Sequence, residues 1–280
     1  MVESGQPAII AVSFATRRHA DLPVEVLDRR EIFERVGPER LTRPERPTFH
    51  ELMLMRSGGG VHTVDFEAIE ARAGRLVWIR PGQVQSWQTS ADYEATLVLS
   101  RPSAPSVSPW FPGDRSFRDL DDEGMKLADA LIEGIRAQQG TFVGSGSERR
   151  LMVVLFDALV ALFDRTGTER HETRLPVAYT AYREAIEADL AASHDVTRYA
   201  DRVGYSARTL SRACQSATGQ TAKAVLTERL VLEAKRLLVH TDMPAAAIAS
   251  ELGFSEATNF AKFFSRHTGT TPARFRESAG

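Results

Sequence analysis

Along the first hundred residues the apolar positions fall in short runs closed by glycine and proline. The runs are AIIAVSF (8–14), HELMLMR (50–56), GVHTVDF (60–66), RLVWIRP around 76–81 and ATLVLS (95–100), punctuated by Gly58-Gly59-Gly60, Ala73-Gly74 and Pro81-Gly82. Runs of this length, rich in apolar and β-branched side chains, predict strands, and several at regular spacing predict a sandwich or barrel. From Arg101 to Asp114 the segment RPSAPSVSPWFPGD carries four prolines and three serines, which no regular element tolerates. The apolar period then lengthens. In LDDEGMKLADALIEGIRAQ (120–138) Met125, Leu127, Leu131, Ile132 and Ile135 share one helical face, and ERRLMVVLFDALVALFDR (148–165) has a wider one. After the polar TGTERHETRLP (166–176) the pattern is helical to the end, broken at Gly204, Gly219, Pro244, Gly253, Gly269 and Pro272.

Within that last stretch one pattern occurs twice. GYSARTLSRACQSATG (204–219) returns as GFSEATNFAKFFSRHTG (253–269), each opening on Gly, an aromatic and Ser. In the first copy Asp195 is placed to cap a helix holding Tyr199, Ala200 and Val203. Gly204 ends that helix in a left-handed turn, and Ser206 caps the next, whose apolar positions are Leu210, Ala213, Cys214 and Ala217. Helix, glycine turn and capped helix make a helix-turn-helix. In the second copy Ser255 starts the second helix and Phe260, Phe263 and Phe264 form its core face. The 3.6-residue period leaves Ala207, Arg208, Ser211 and Arg212 outward in copy one, with Thr209 beside them, and Glu256, Ala257, Asn259 and Lys262 outward in copy two. Arginine pairs with guanine edges, asparagine with adenine, and glutamate accepts from the cytosine amino group, so these side chains suit a major groove. A merely solvated face is the alternative, which the duplication disfavours.

Charge sharpens this reading without overturning it. The net charge of −2 over 280 residues excludes a protein that coats nucleic acid indiscriminately, but it allows one basic face. Arg202, Arg208, Arg212, Lys223, Arg229, Lys235 and Arg236 outnumber Glu228 and Glu233; later, Lys262, Arg266, Arg274 and Arg276 stand against Glu277. Earlier acids, Glu184, Glu187 and Asp189, are placed to face away from phosphate. The single cysteine, Cys214, excludes an internal disulfide and reads as a small buried hydrophobe. The apolar run 151–163 is too short to span a bilayer and holds Asp157, and no secretory signal is evident, so a cytoplasmic protein without membrane attachment is expected.

The stretches YADRVGYSARTLSRACQSATGQT, RLVLEAKRLLVHTDMP and AAAIASELGFSEATNFAKFFSRHTGTTPARFR together resemble the DNA-binding domain of AraC/XylS-type bacterial transcription regulators. The most specific matches are Ile248-Ala249, Leu252-Gly253-Phe254, Phe260, Phe264, Gly269, Thr271-Pro272 and Phe275-Arg276. The resemblance implies two subdomains joined by a long helix, about 222–238, presenting both recognition helices to double-stranded operator DNA, with RNA polymerase as a possible further partner. Two departures stand out: Lys262 where the family has Arg, which favours a phosphate contact over bidentate reading, and Cys214 where Phe is common.

The front half is similar to the cupin-like sensor domain of the same family, on FHELMLMRSGGGVHTVDFEAIEARAGRLVWIRPGQVQSW. The implied fold class is α+β multidomain: a cupin-like β-barrel over 1–115, a helix pair over 116–166, a linker over 167–177 and an all-α tandem helix-turn-helix domain over 178–280, its two motifs near 195–219 and 244–269. A small organic effector in the barrel would meet His50 and Trp87, with Arg56 and Arg80 available to a carboxylate; ordinary surface placement is the alternative for each. His50 and His62 are isolated and Gln85 follows PGQV where a His is common, so no catalytic residue, cofactor or metal is expected. Leu127, Leu131, Leu151, Val154, Leu155, Leu159 and Leu162 are candidates for a homodimer contact, or for packing against the barrel. A cupin enzyme fused to a DNA-binding tail and an effector-independent regulator remain the alternatives.

Overall fold

The computed structural model describes residues 10–16, 19–37, 43–87, 94–101, 115–165 and 176–279, with only the backbone of Trp87, Asp164, Arg165 and Ala279. Two compact units emerge, one from 9–107 with 115–170 and a second mainly from 171–280.

The first unit opens with β1 (Ile10–Val12), β2 (Val24–Asp28) and α1 (Arg29–Val36), followed by β3 (Glu45–Pro47), β4 (His50–Met55), β5 (Val61–Val64) and β6 (Glu67–Glu70). Then come β7 (Arg75–Ile79), β8 (Gln85–Trp87), β9 (Ala95–Ser100), β10 (Phe117–Asp119), α2 (Asp122–Thr141) and α3 (Gly146–Arg165). The expected barrel is built as two five-stranded sheets, ordered β1-β3-β8-β5-β6 and β10-β7-β4-β9-β2. Two-residue alternation along β4 sorts its side chains between two cores. Met53 and Met55 join Val64, Ile69, Val77 and Leu97 between the sheets. Leu52 and Leu54 join Trp78 and, from the helix pair, Ile132, Ile135, Phe156 and Phe163. The helix pair is therefore a layer on the second sheet. Its Gln139 accepts from Val26 N–H at 2.7 Å and donates to Val26 C=O at 3.2 Å, satisfying the open edge of β2.

The second unit comprises α4 (Val177–Ala188), α5 (Val196–Val203), α6 (Ala207–Thr218), α7 (Ala222–His240), α8 (Ala245–Glu251), α9 (Ala257–Thr268) and α10 (Pro272–Ala279). Two cores lie along α7. Val225, Leu226 and Leu230 meet Tyr182, Ile186, Tyr199, Leu210 and Cys214, while Ala234, Leu237 and Leu238 meet Ile248, Leu252, Phe260 and Phe264. Burial of these apolar faces, not intrinsic propensity, is what keeps helices of seven to twelve residues folded.

Candidate functional site

Both turns form as the sequence dictates. Asp195 caps α5 by accepting from Thr197 N–H at 3.0 Å, a bond that holds its carboxyl below the usual range. Gly204 is left-handed at φ 72°, and Tyr205 N–H donates to Ala200 C=O at 3.0 Å. Ser206 then caps α6 by accepting from Thr209 N–H at 3.1 Å. In the second copy Gly253 has φ 77° and Phe254 N–H donates to Ala249 C=O at 2.8 Å, the same bond in the same place. One detail differs from expectation. The helix begins one residue later, with Glu256 as N-cap and no side-chain capping bond, so Ser255 stands just before the cap. The extra residue also means that Leu210, Ala213 and Cys214 correspond to Phe260, Phe263 and Phe264 rather than to positions one earlier.

The outward faces carry the expected side chains except Ala207, which is half-buried and packs against the core of the first copy. Arg208 and Arg212 are exposed one helical turn apart, with Thr209 and Ser211 half-buried between them. Glu256, Ala257, Asn259 and Lys262 are all exposed. Among the described residues no carboxylate pairs with Arg208, Arg212 or Lys262, so their charge is available to phosphate or bases.

The wider basic count does not survive as a surface. Arg229 is buried and grips Glu187 through two bonds of 2.6 and 3.0 Å, with Glu233 at 3.1 Å. Burial works against its charge, but the two carboxylates outweigh that and raise its pKa. Arg236 is 1% exposed beside Glu233. Arg276 donates to the carbonyls of Leu238 at 2.8 Å and Met243 at 2.6 Å, capping the end of α7. Arg202 lies 3.7 Å from Asp189. Glu187 thus serves as an internal partner. Three of the arginines counted toward the basic face hold the fold together instead, leaving Arg208, Arg212, Lys262, Arg266 and Arg274 as the exposed cations of α6, α9 and α10. Cys214 is fully buried and its thiol is pushed up to about 11, which leaves it inert at neutral pH.

The front-half candidates separate. His50 alternates in phase with Leu52 and Leu54, and its ring lies 5.9 Å from Trp78 and 6.2 Å from Phe156, on the helix-facing side of the sheet. Burial, with Arg80 nearby, pushes it down to about 4. The Arg80 guanidinium sits 3.8 Å above the Trp78 ring, on that same side. Arg56 pairs with Asp129 of α2 and donates to Thr96 Oγ1 at 3.0 Å. These three therefore join the helix pair to the sheet and do not meet between the sheets, because strand phase turns them the other way. Only the Trp87 backbone is described, paired with His62.

What lies between the sheets is a polar group the sequence reading missed. His62 Nε2 is 3.1 Å from Gln85 Oε1, and Gln85 Nε2 donates to Glu51 Oε2 at 2.9 Å. Glu51 is 3% exposed and, among the described residues, its Oε1 has no hydrogen-bond partner. Burial pushes Glu51 up to about 7 and His62 down to about 4. A signal did exist: Glu51 shares the phase of Met53 and Met55, an acid inserted into a core alternation. Of the dimer candidates, Leu127, Leu151 and Val154 are exposed, Leu131 and Leu155 are partly buried, and Leu159 and Leu162 lie inside the core. Those last two are spent on packing within the unit.

Comparison with known proteins adds an independent line. Residues 199–278 match the family model described as a helix-turn-helix domain. The chain is 24% identical over 241 residues to the HTH-type transcriptional activator RhaR of Escherichia coli O139:H28, covering 81% of this chain and 84% of RhaR. Among solved structures it is similar to ToxT of Vibrio cholerae (TM-score 0.42, 10% identity, 90% and 94% of the two chains). An AraC-type DNA-binding domain from Chromobacterium violaceum is also similar (TM-score 0.34, 24% identity, 37% and 92%). Among the described residues no helix is long and apolar enough to cross a membrane. With two capped helix-turn-helix copies on one connecting helix, exposed cations on both, and the helix-turn-helix model matched over residues 199–278, the second unit is an AraC-type DNA-binding domain, that of a transcription regulator.

Proposed function

We propose that the protein is an effector-responsive, dimeric, cytoplasmic regulator in which a small organic molecule held between the two sheets alters operator binding. The observation that carries this is the buried Glu51–Gln85–His62 group, with the buried Glu45 beside it on β3, set against the apolar core between the sheets. A buried carboxyl oxygen without a partner costs about 1–3 kcal/mol, a penalty that a ligand's hydroxyl or amine would recover. Met53 and Met55 beside it are adaptable lining for a molecule of irregular shape.

Arg208, Thr209, Ser211 and Arg212 would read one major-groove segment, and Glu256, Ala257, Asn259 and Lys262 the next. Leu127, Leu151 and Val154 are the apolar side chains that a second copy would cover. Linking two DNA modules in this way raises affinity through effective concentration alone. Effector and DNA then influence each other reciprocally.

The test is a thermal-shift screen of small polar organic molecules on the full-length protein, followed by operator binding with and without each hit. A hit should raise the melting temperature and change DNA affinity, and Glu51→Ala should abolish both effects. If every hit still works on Glu51→Ala, the inter-sheet site is wrong. If hits stabilise without altering DNA binding, the regulator does not respond to them.

A further inference from the structure

We infer that His194 is a positioning residue for DNA recognition, setting the relative pitch of the two recognition helices by bracing the first helix-turn-helix against the turn of the second. A single connecting helix fixes the distance between two modules, but their mutual rotation rests on how each packs at its own end. A second, lateral contact fixes that rotation, and residues 189–195 supply it.

This loop is anchored to the first copy. The buried Tyr199 hydroxyl donates to the Asp189 carbonyl at 2.9 Å and lies 3.2 Å from that of Leu190, while Arg198 donates to Ala192 C=O at 2.7 Å. From that anchor it reaches the second copy. His194 Nε2 lies 2.8 Å from Leu252 C=O, which assigns the ring proton to Nε2, since a carbonyl only accepts. That carbonyl is at the end of α8, where a helix lacks internal donors. The ring packs 4.2 Å from Phe254 and lies within 10° of parallel to Phe263, 6.5 Å away. Lys223, on α7, donates to the His194 carbonyl, so the connecting helix is tied into the same knot.

Gly253 shows how close the approach is. A Cβ there would stand 2.3 Å from the Ala191 carbonyl oxygen, whereas a Cβ on Gly204 would meet nothing within 4 Å. Both glycines are required by their turns, but only the second is also required by its neighbour. Phe263 completes the interlock by packing from α9 onto the core of the first copy. Because two tethered readers gain from each other only when both engage together, a fixed pitch makes affinity depend on the separation of the two half-motifs in the DNA. One inserted base pair rotates the second motif by about a tenth of a helical turn.

The experiment uses full-length protein and a duplex selected from a random-sequence pool by the wild type. Affinity is then measured on that duplex, on versions with one base pair inserted or removed between the half-motifs, and on each half-motif alone. Wild type should lose about tenfold for each change of spacing. His194→Ala should bind single half-motifs as wild type does, lose affinity at the selected spacing, and show a flattened spacing profile. His194→Phe, which keeps the ring packing and removes the donor, should flatten the profile partly; His194→Gln, which keeps a donor, should restore part of the preference. A wild-type spacing profile in His194→Ala and His194→Phe, or an equal loss on single half-motifs, overturns the inference.

Discussion

Gly204 and Gly253 occupy the same place in two copies of one motif, and the turn around each is nearly identical, yet the surroundings differ. The recognition helix of the first copy contributes non-aromatic residues, Leu210, Ala213 and Cys214, and its core is completed by Tyr182 and Ile186 from α4. The second is built from aromatic rings, with Phe254 edge-on to Phe260 at 5.6 Å and Phe264 edge-on to Phe275 at 5.4 Å. The comparison teaches that the backbone motif is fixed by caps and glycines, whereas the means of filling its core is free. The largest effect should appear there. Phe264→Ala, at a fully buried position, should cost about 3–5 kcal/mol. Cys214→Ala, at the corresponding position, should cost about 1 kcal/mol. Chemical denaturation of both variants measures the difference, and equal losses would mean that the two cores are equally dependent on this position.

The glycines themselves come next. Gly204→Ala pays only for a side chain at positive φ, about 1–2 kcal/mol. Gly253→Ala pays the same and also drives Cβ into the Ala191 carbonyl, for a total of about 3 kcal/mol or more. Gly253→Val should be worse still, because β-branching adds to a strained turn. If the two alanine variants melt together, the contact between loop and turn is not maintained in solution.

How much of this was legible follows from what kind of interaction decides each feature. The helix-turn-helix copies were readable because caps, glycine turns and a 3.6-residue period are local. Arg229, Arg236 and Arg276 were misread as surface cations because their partners, Glu187, Glu233 and the carbonyls of Leu238 and Met243, are supplied by tertiary packing. Strand β2, VEVLD, was missed for the same reason: Glu25 sits inside because Arg35 of α1 grips it through bonds of 2.9 and 2.8 Å. In β4 the strand was legible and its alternation visible, but the sequence did not say that helices would cover the His50 face and leave Glu51 between the sheets. Short elements such as β3, β8 and β10 have three residues each, too few for any period to register.

The outward faces offer a smaller contrast. Arg212 presents a planar fork and Lys262 a point charge at corresponding places in the two copies. Arg212→Ala should lower discrimination at one base position by about 1–3 kcal/mol. Lys262→Ala should weaken binding evenly across sequences and reduce the salt slope by about one contact. Affinity measured over a set of single-base operator variants at several salt concentrations separates the two. An even loss for Arg212→Ala would make both copies phosphate grips at these positions.

The smallest difference lies in the two serines that follow the glycine turns, Ser206 and Ser255. Ser206 accepts from Thr209 N–H at 3.1 Å and so satisfies a donor the helix leaves open. Ser255, one residue further from its helix, has Asn259 Nδ2 at 3.4 Å and no backbone donor of the first turn among the described residues. Ser206→Ala should therefore cost about 1 kcal/mol, and Ser255→Ala a few tenths. Thermal unfolding of the two variants beside wild type is the measurement. A full capping loss at Ser255 would mean that the second recognition helix begins one residue earlier in solution, at the position the repeat itself implies. Glu256 would then move from the cap into the first helical turn, where its carboxylate interacts favourably with the helix dipole.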